Sequence, residues 1–317
     1  MIHEQSKIKK NIVIHIGLHK TGSSFLQTNL LNYKTKNCFV DSRGVLGLNL
    51  LNYLIKPSNN QKNYILNQLN KIEEKNIFIT NENIFGHHYN GFIDAKKRFN
   101  LLEELFINPK YIIFFRNPSS LLYSQYFERL KAVHNITFEE YITLDLKKLF
   151  KTDIFIVKNR KFFKTNYKIL NYKKLFKNYI NVKERVLFVE YEKFFKEKKM
   201  NILNNFIGLN IKLDFDKKVN FSKKQLKYIE FYNQFIIFRL FIKIIEKFCA
   251  LLNLILARLK KKERIRSYTI IYITIKFLTK FTKKIYLKKV EDNHKNLLQY
   301  IEKYHSKNYR DFKKLIN

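Results

Sequence analysis

Apolar and polar residues fall in blocks along this chain, and the edges of the blocks predict strands followed by helices. Asn11 to Gly17 (NIVIHIG) is β-branched and almost continuously apolar, the pattern of a parallel strand buried on both faces. The turn GLHKTGSS follows, and Phe25, Leu26, Leu30 and Leu31 then recur at helical spacing. Ile77 to Thr80 reads as a second short strand, ending at the polar Asn81-Glu82-Asn83. Tyr111 to Phe115 is a third, followed at once by Arg116 and Asn117. Pro118 suits the first turn of a helix that runs on through Leu121, Leu122, Tyr126 and Leu130. Val186 to Val189 is a fourth strand, and it ends at Glu190-Tyr191-Glu192.

Strands that alternate with helices imply an α/β fold, a P-loop-like parallel sheet flanked by helices. Function in such sheets sits beyond the carboxyl ends of the strands, where each of these polar clusters falls. From about Ser222 the chain reads as helix with few breakers, a helical C-terminal elaboration. The expected organisation is an α/β core over 1–222 and a helical region over 223–317, in one domain overall. Between Phe235 and Leu259 the charged residues Arg239, Lys243, Glu246, Lys247 and Arg258 make a narrow stripe on an otherwise apolar helix, and a basic cluster at 260–264 follows. Such a stretch either covers the sheet or a partner subunit, or lies at a membrane surface with its lysines on anionic headgroups.

Composition narrows the choice less than it first suggests. The 317 residues are 46% hydrophobic and carry a formal net charge of +36, enough apolar surface for a core and an excess of cations for anionic partners. Lys, Asn, Ile, Phe and Tyr are abundant together while Gly, Pro and Trp are scarce, as an A+T-rich coding bias would produce. The charge therefore supports anion binding without establishing it. Cys38 and Cys249 lie far apart with no metal-ligand spacing, which predicts neither a disulfide framework nor a zinc site and points to a reducing cytoplasm. The apolar run at the N-terminus is short and interrupted by His15, so it reads as a strand and not a secretion signal. No apolar stretch reaches the roughly 18 residues of a spanning helix.

The strongest chemical signal is the turn after the first strand. Backbone N–H groups between a strand and a helix N-terminus converge on one spot, where the helix dipole adds positive potential. Lys20 supplies a point charge, Ser23 and Ser24 supply hydroxyl donors, and His19, Thr21 and Gly22 complete the loop. This is a phosphate cradle, but not a Walker A loop, because Ser follows Gly22 where that pattern requires Lys. Arg116, at the end of the third strand, and Ser124, eight residues on, offer a guanidinium fork and a hydroxyl for a second phosphate. The bland alternative is an Arg116 paired with a carboxylate and a Ser124 that is an ordinary helix residue.

The pair IHIGLHKTGSS and FFRNPSSLLYSQYF resembles the two donor-binding motifs of the sulfotransferase superfamily. Lys20, Thr21, Gly22, Ser23 and Ser24 match the motif that grips a 5′-phosphosulfate, with Ser at two positions where Thr is commoner. Arg116, Pro118 and Ser124 match the motif for a 3′-phosphate. The segments VLFVEYEKFF, ILNNFIGLN and YHSKNYRDFKKL are similar to further parts of the family, the last to bacterial members acting on sugars; 235–288 matches nothing there. The resemblance implies 3′-phosphoadenosine 5′-phosphosulfate (PAPS) as co-substrate, 3′,5′-adenosine bisphosphate (PAP) as product and no metal. It also implies in-line transfer of a sulfuryl group to a hydroxyl acceptor, a carbohydrate or glycolipid. Lys20 would stabilise the leaving phosphate oxygen, and Glu82 is the candidate base, with His87 and His88 as alternatives. His15 and His19 are expected to serve packing or loop geometry. The segments Asp41–Asn60, Gly86–Arg98 and His134–Tyr167 are expected as variable loops around the acceptor.

Two other functions fit parts of the sequence. A P-loop nucleotide kinase would need the missing lysine and a strand ending in a magnesium-binding Asp, which is not evident. A nucleic-acid-binding protein is suggested by the charge and by 16% aromatic residues, but no recognition motif occurs and specific nucleic acid is not an expected partner. The expected location is the cytoplasm, with 235–288 as the one stretch suited to peripheral contact with the membrane.

Overall fold

The computed structural model describes residues 10–30, 38–42, 44–86, 92–132, 138–143, 155–157, 160–162, 165–166, 170–198, 200–208, 215, 244–245, 247–253 and 284–316. The chain divides into two units, one formed by Met1–Leu121, Lys168–Val219 and His305–Asn317, the other by Leu122–Tyr167 and Asn220–Tyr304.

The first unit is built on a five-stranded sheet, entirely parallel. Strands β1 (Asn11–Gly17), β2 (Cys38–Ser42), β3 (Asn76–Thr80), β4 (Lys110–Phe115) and β5 (Val186–Glu190) lie in the order β2-β3-β1-β4-β5. The four strands expected from apolar runs are all present, and β2 is an addition. Its sequence, CFVDS, is short and ends in two polar residues, so it carries little of the strand pattern. Part of the expected loop Asp41–Asn60 is instead regular structure: helix α2 spans Val45–Ile55, after helix α1 at Ser23–Leu30. Its apolar residues Leu46, Leu50, Tyr53 and Leu54 are buried, which is a helical pattern the loop reading overlooked. Helices α3 (Asn59–Asn70) and α4 (Ala95–Leu105) follow, the latter beginning within the second expected loop.

Parallel strands covered on both faces need apolar residues at every position, and β1 is buried throughout from Ile12 to Gly17. One face gathers Val13, Phe78, Ile112, Phe114 and Val189 against Phe25, Leu26 and Leu30 of α1. Phe194 of α6 (Tyr191–Glu197) and Leu203 and Ile207 of α7 (Met200–Ile207) close the same cluster; here α5 is the helix Pro118–Ala132. The opposite face is aromatic. Tyr111 meets Tyr179 at 5.1 Å, and Phe115, Phe176 and Phe188 surround Phe312 at 5.2–5.5 Å. Phe312 belongs to the long C-terminal helix Lys284–Ile316, whose Tyr309 and Lys313 both donate to the Glu190 carboxylate, each at 2.9 Å.

The second unit buries Tyr126, Phe127, Phe138 and Tyr141 together with His294. Tyr123 and His294 meet at 3.2 Å between the phenol oxygen and Nδ1. Two short strand pairs, Ile142–Thr143 with Thr165–Asn166 and Phe155–Val157 with Arg160–Phe162, complete its described regular structure apart from helical segments. Most of 235–288 lies outside the described residues. No described helix is long and apolar enough to cross a membrane.

His15 stands in the middle of the first unit with no exposure, as the packing expectation required. Its Nδ1 is 2.8 Å from Thr80 Oγ1, and its Nε2 has no hydrogen-bond partner among the described residues. Burial pulls its pKa down from 6.5 to about 3. Between those values the unfolded chain binds a proton that the folded chain refuses, so stability falls as pH falls. From pH 7 to pH 4.5 the loss through this one group is about 2–3 kcal/mol. Urea midpoints at the two pH values check this: His15→Asn should show a clearly shallower acid loss than the parent protein.

Candidate functional site

Strands β1 and β4 are neighbours whose chains leave in opposite directions, β1 toward β2 and β4 toward β5. Their carboxyl ends therefore border the crevice where sheets of this kind bind ligands. The turn after β1 forms one wall. Leu18 N donates to Phe114 O at 3.1 Å, so the turn begins anchored to β4. Lys20 adopts the left-handed region at φ 65°, and Gly22 follows at φ 96° before α1 begins. The loop is braced from within: Thr21 Oγ1 and Ser23 Oγ donate to the Leu18 carbonyl at 2.6 and 3.0 Å. These two hydroxyls brace the loop; Ser23, with Ser24, is also one of the two hydroxyls that the sequence offers to a phosphate. Ser24, half-buried in the first turn of α1, finds no side-chain hydrogen-bond partner among the described residues.

Gly22 is required twice over. Its φ suits glycine, and a Cβ there would stand 2.9 Å from Phe195 Cε2 and 3.3 Å from Tyr191 Cε2. Both rings come from α6, directly after β5. The Tyr-Glu ending of that strand thus forms part of the loop's seat, a role that spacing alone did not reveal.

Arg116 forms the opposing wall. Its Nη1 donates to the Lys20 carbonyl at 3.3 Å, so the two sequence motifs meet. Its Nε donates to Glu192 Oε1 at 3.0 Å, and its guanidinium carbon lies 4.4 Å from the centre of the Tyr191 ring. The carboxylate pairing raised as the bland alternative is real, and it coexists with the contact to the cradle. Glu192 is 42% exposed, and ion pairs at that exposure are worth about 0.2–1 kcal/mol, too little for the fold to depend on this one. What the pair supplies is orientation. Tyr172, a fully buried phenol that burial keeps protonated, donates to the Arg116 carbonyl at 2.6 Å. Asn117 then opens α5, its Oδ1 accepting from Ser119 N at 3.0 Å and Ser119 Oγ at 2.7 Å. Ser124 lies farther along α5, half-buried, in the second unit.

Glu82 occupies the turn after β3, on the other side of β1. The turn is pinned by Asn81 N to His15 O at 3.1 Å and Phe85 N to Ile16 O at 3.2 Å. Asn81 also accepts from Asn83 N at 3.0 Å and donates to Gly47 O of α2 at 3.3 Å. Buried Arg98 of α4 donates to Asn83 O at 2.6 Å, spending a cation on the carbonyl next to Glu82. His19 Nδ1 is 3.6 Å from Glu82 Oε1, bringing the candidate base alongside the residue preceding Lys20. His87 and His88 lie outside the described residues. Sequence reasoning missed Arg98, Tyr172, Phe195 and Glu192 as parts of this site. Only Glu192 carried a signal, as a carboxylate just past a strand's carboxyl end. Among the described residues no group of His, Cys, Asp and Glu has the arrangement to hold a metal ion.

The Glu82 turn approaches β1 so closely that a Cβ on Gly17, at φ 116°, would stand 2.9 Å from the Glu82 carbonyl oxygen. Gly17→Ala should therefore displace the turn carrying Glu82 and cost about 1–3 kcal/mol in backbone strain. A lowered urea midpoint, with the helical circular dichroism retained, checks this.

No family model and no curated protein matches the chain. Among solved structures it is similar to a sulfotransferase from Alicyclobacillus acidocaldarius, at 12% identity over 69% of this chain and 89% of that one, with a TM-score of 0.45. It is also similar to mouse sulfotransferase SULT7A1 complexed with PAP, at 13% identity over 72% of this chain and 65% of that one, with a TM-score of 0.35.

Proposed function

We propose that this protein is a sulfotransferase that uses PAPS to place a sulfuryl group on a hydroxyl, with a sugar of a polysaccharide, lipopolysaccharide or glycolipid as the acceptor. The observation that carries the reading is the hydrogen bond from Arg116 Nη1 to the Lys20 carbonyl. It joins two cationic motifs, read separately from the sequence, across adjacent strands at the crevice where a nucleotide with two phosphate groups would lie.

Bound PAPS would supply an activated sulfuryl group on a bisphosphate leaving group. The N–H groups that open α1, with Ser23 and Ser24, are suited to the 5′-phosphate, and Arg116 to the 3′-phosphate. Glu82 takes the acceptor's proton as the new oxygen–sulfur bond forms. Lys20 meets the negative charge that grows on the phosphate oxygen as the old sulfur–oxygen bond breaks. His19 lies 3.6 Å from Glu82, beside the loop that carries Lys20. The acceptor class rests on the similarity of the C-terminal segment to bacterial enzymes acting on sugars. Peripheral membrane contact through 235–288 would suit a lipid-linked acceptor.

Calorimetric titration with PAP, ATP and AMP in the absence of magnesium tests the donor. Selective binding of PAP is expected; equal preference for ATP would return a kinase to first place. Lys20→Ala should lower turnover with PAPS by roughly 10²- to 10³-fold, the scale of losing a preorganised donor to the transition state. Arg116→Ala should weaken PAP binding by about 2 kcal/mol, the scale of a charged hydrogen bond. Equal, mild losses in both variants would mean that the roles are wrongly divided.

A further inference from the structure

We propose that Glu192 is a positioning residue of the second phosphate subsite, acting by fixing the plane and the free edge of the Arg116 guanidinium. The inference rests on the reading of Arg116 as a partner of a 3′-phosphate. A guanidinium carries five donors in a rigid planar fork, and it recognises a phosphate by presenting two of them together. On a flexible side chain that edge has to be aimed.

Three contacts aim it here. Glu192 Oε1 takes Nε at 3.0 Å, the Lys20 carbonyl takes Nη1 at 3.3 Å, and the Tyr191 ring lies 4.4 Å from the guanidinium carbon. Two hydrogen bonds from different nitrogens and a ring against the group define its plane, and none of the three uses Nη2. The second carboxylate oxygen of Glu192 lies 3.5 Å from Asn117 N, so the same side chain ties the guanidinium to the residue that caps α5.

A rival geometry would make Glu192 a stand-in for the phosphate, to be displaced by the ligand. A carboxylate in that role takes two parallel donors of one fork. Glu192 instead takes a single guanidinium nitrogen and turns its other oxygen to a backbone N–H. Glu190, two residues earlier, is engaged elsewhere by Tyr309 and Lys313, so it is not a substitute on Arg116.

The test compares the full-length protein with Glu192→Ala and Glu192→Gln by calorimetric titration with PAP and with AMP, which lacks the 3′-phosphate. Glu192→Ala should bind PAP about tenfold more weakly, the scale of losing one charged hydrogen bond's support, and bind AMP unchanged. Glu192→Gln should recover part of the loss, since its amide oxygen still accepts from Nε. Tighter PAP binding by Glu192→Ala would overturn the proposal and make Glu192 a competitor for the site. Equal loss for PAP and AMP would overturn it in favour of general support of the crevice. A parent protein that does not prefer PAP to AMP would overturn the donor reading itself, and this inference with it.

Discussion

The parting of β1 and β4 is the constraint on which the rest of the site depends. Two neighbouring parallel strands that send their chains to opposite sides leave a crevice at their carboxyl ends. The loop at Lys20 and the start of α5 at Asn117 then face one space because the strands that feed them are paired. Two hydrogen bonds, from Leu18 N to Phe114 O and from Arg116 to the Lys20 carbonyl, tie them together. Cationic and N–H-rich groups brought together this way repel one another unless an anion or a carboxylate intervenes. Glu192 supplies the carboxylate from the helix that follows the next strand over.

Much of this was legible in the sequence, for reasons that can be stated. Buried parallel strands are written as nearly continuous apolar runs, and β1, β3, β4 and β5 each have one. The polar clusters that end them are visible because polarity changes abruptly there. Edge strand β2 and helix α2 were not legible: CFVDS is short and mixed, and VLGLNLLNYLI follows a Gly-containing turn that reads as loop. The loop at 18–24 was legible as a strand-to-helix turn, but its internal bonding was not. Whether a hydroxyl serves the ligand or its own loop depends on which carbonyl lies within reach, and Leu18 O lies within reach of both Thr21 and Ser23.

The supporting shell was the least legible part. Arg98 sits in a run, AKKRF, that looks like an exposed basic helix face, yet it is buried and bonds the carbonyl beside Glu82. Phe195 looks like one more aromatic in a chain full of them, yet its ring sets the size of residue 22. Tyr172 reaches the Arg116 carbonyl from the far side of a long connection. Each contact joins residues remote in sequence, and local pattern carries no trace of such pairs. The positions that pattern does reveal are those where one segment alone decides the chemistry.

The course of the chain through the first unit bears on how the protein is made. Residues 305–317 belong to that unit although the chain has by then passed through all of the second. Until they leave the ribosome, Phe115, Phe176 and Phe188 lack the Phe312 ring, and Glu190 lacks both Tyr309 and Lys313. An apolar sheet face beside an open strand edge is the kind of surface that attracts other chains during synthesis. The strands that border the crevice are thus translated before the helix that covers the aromatic face of the same sheet.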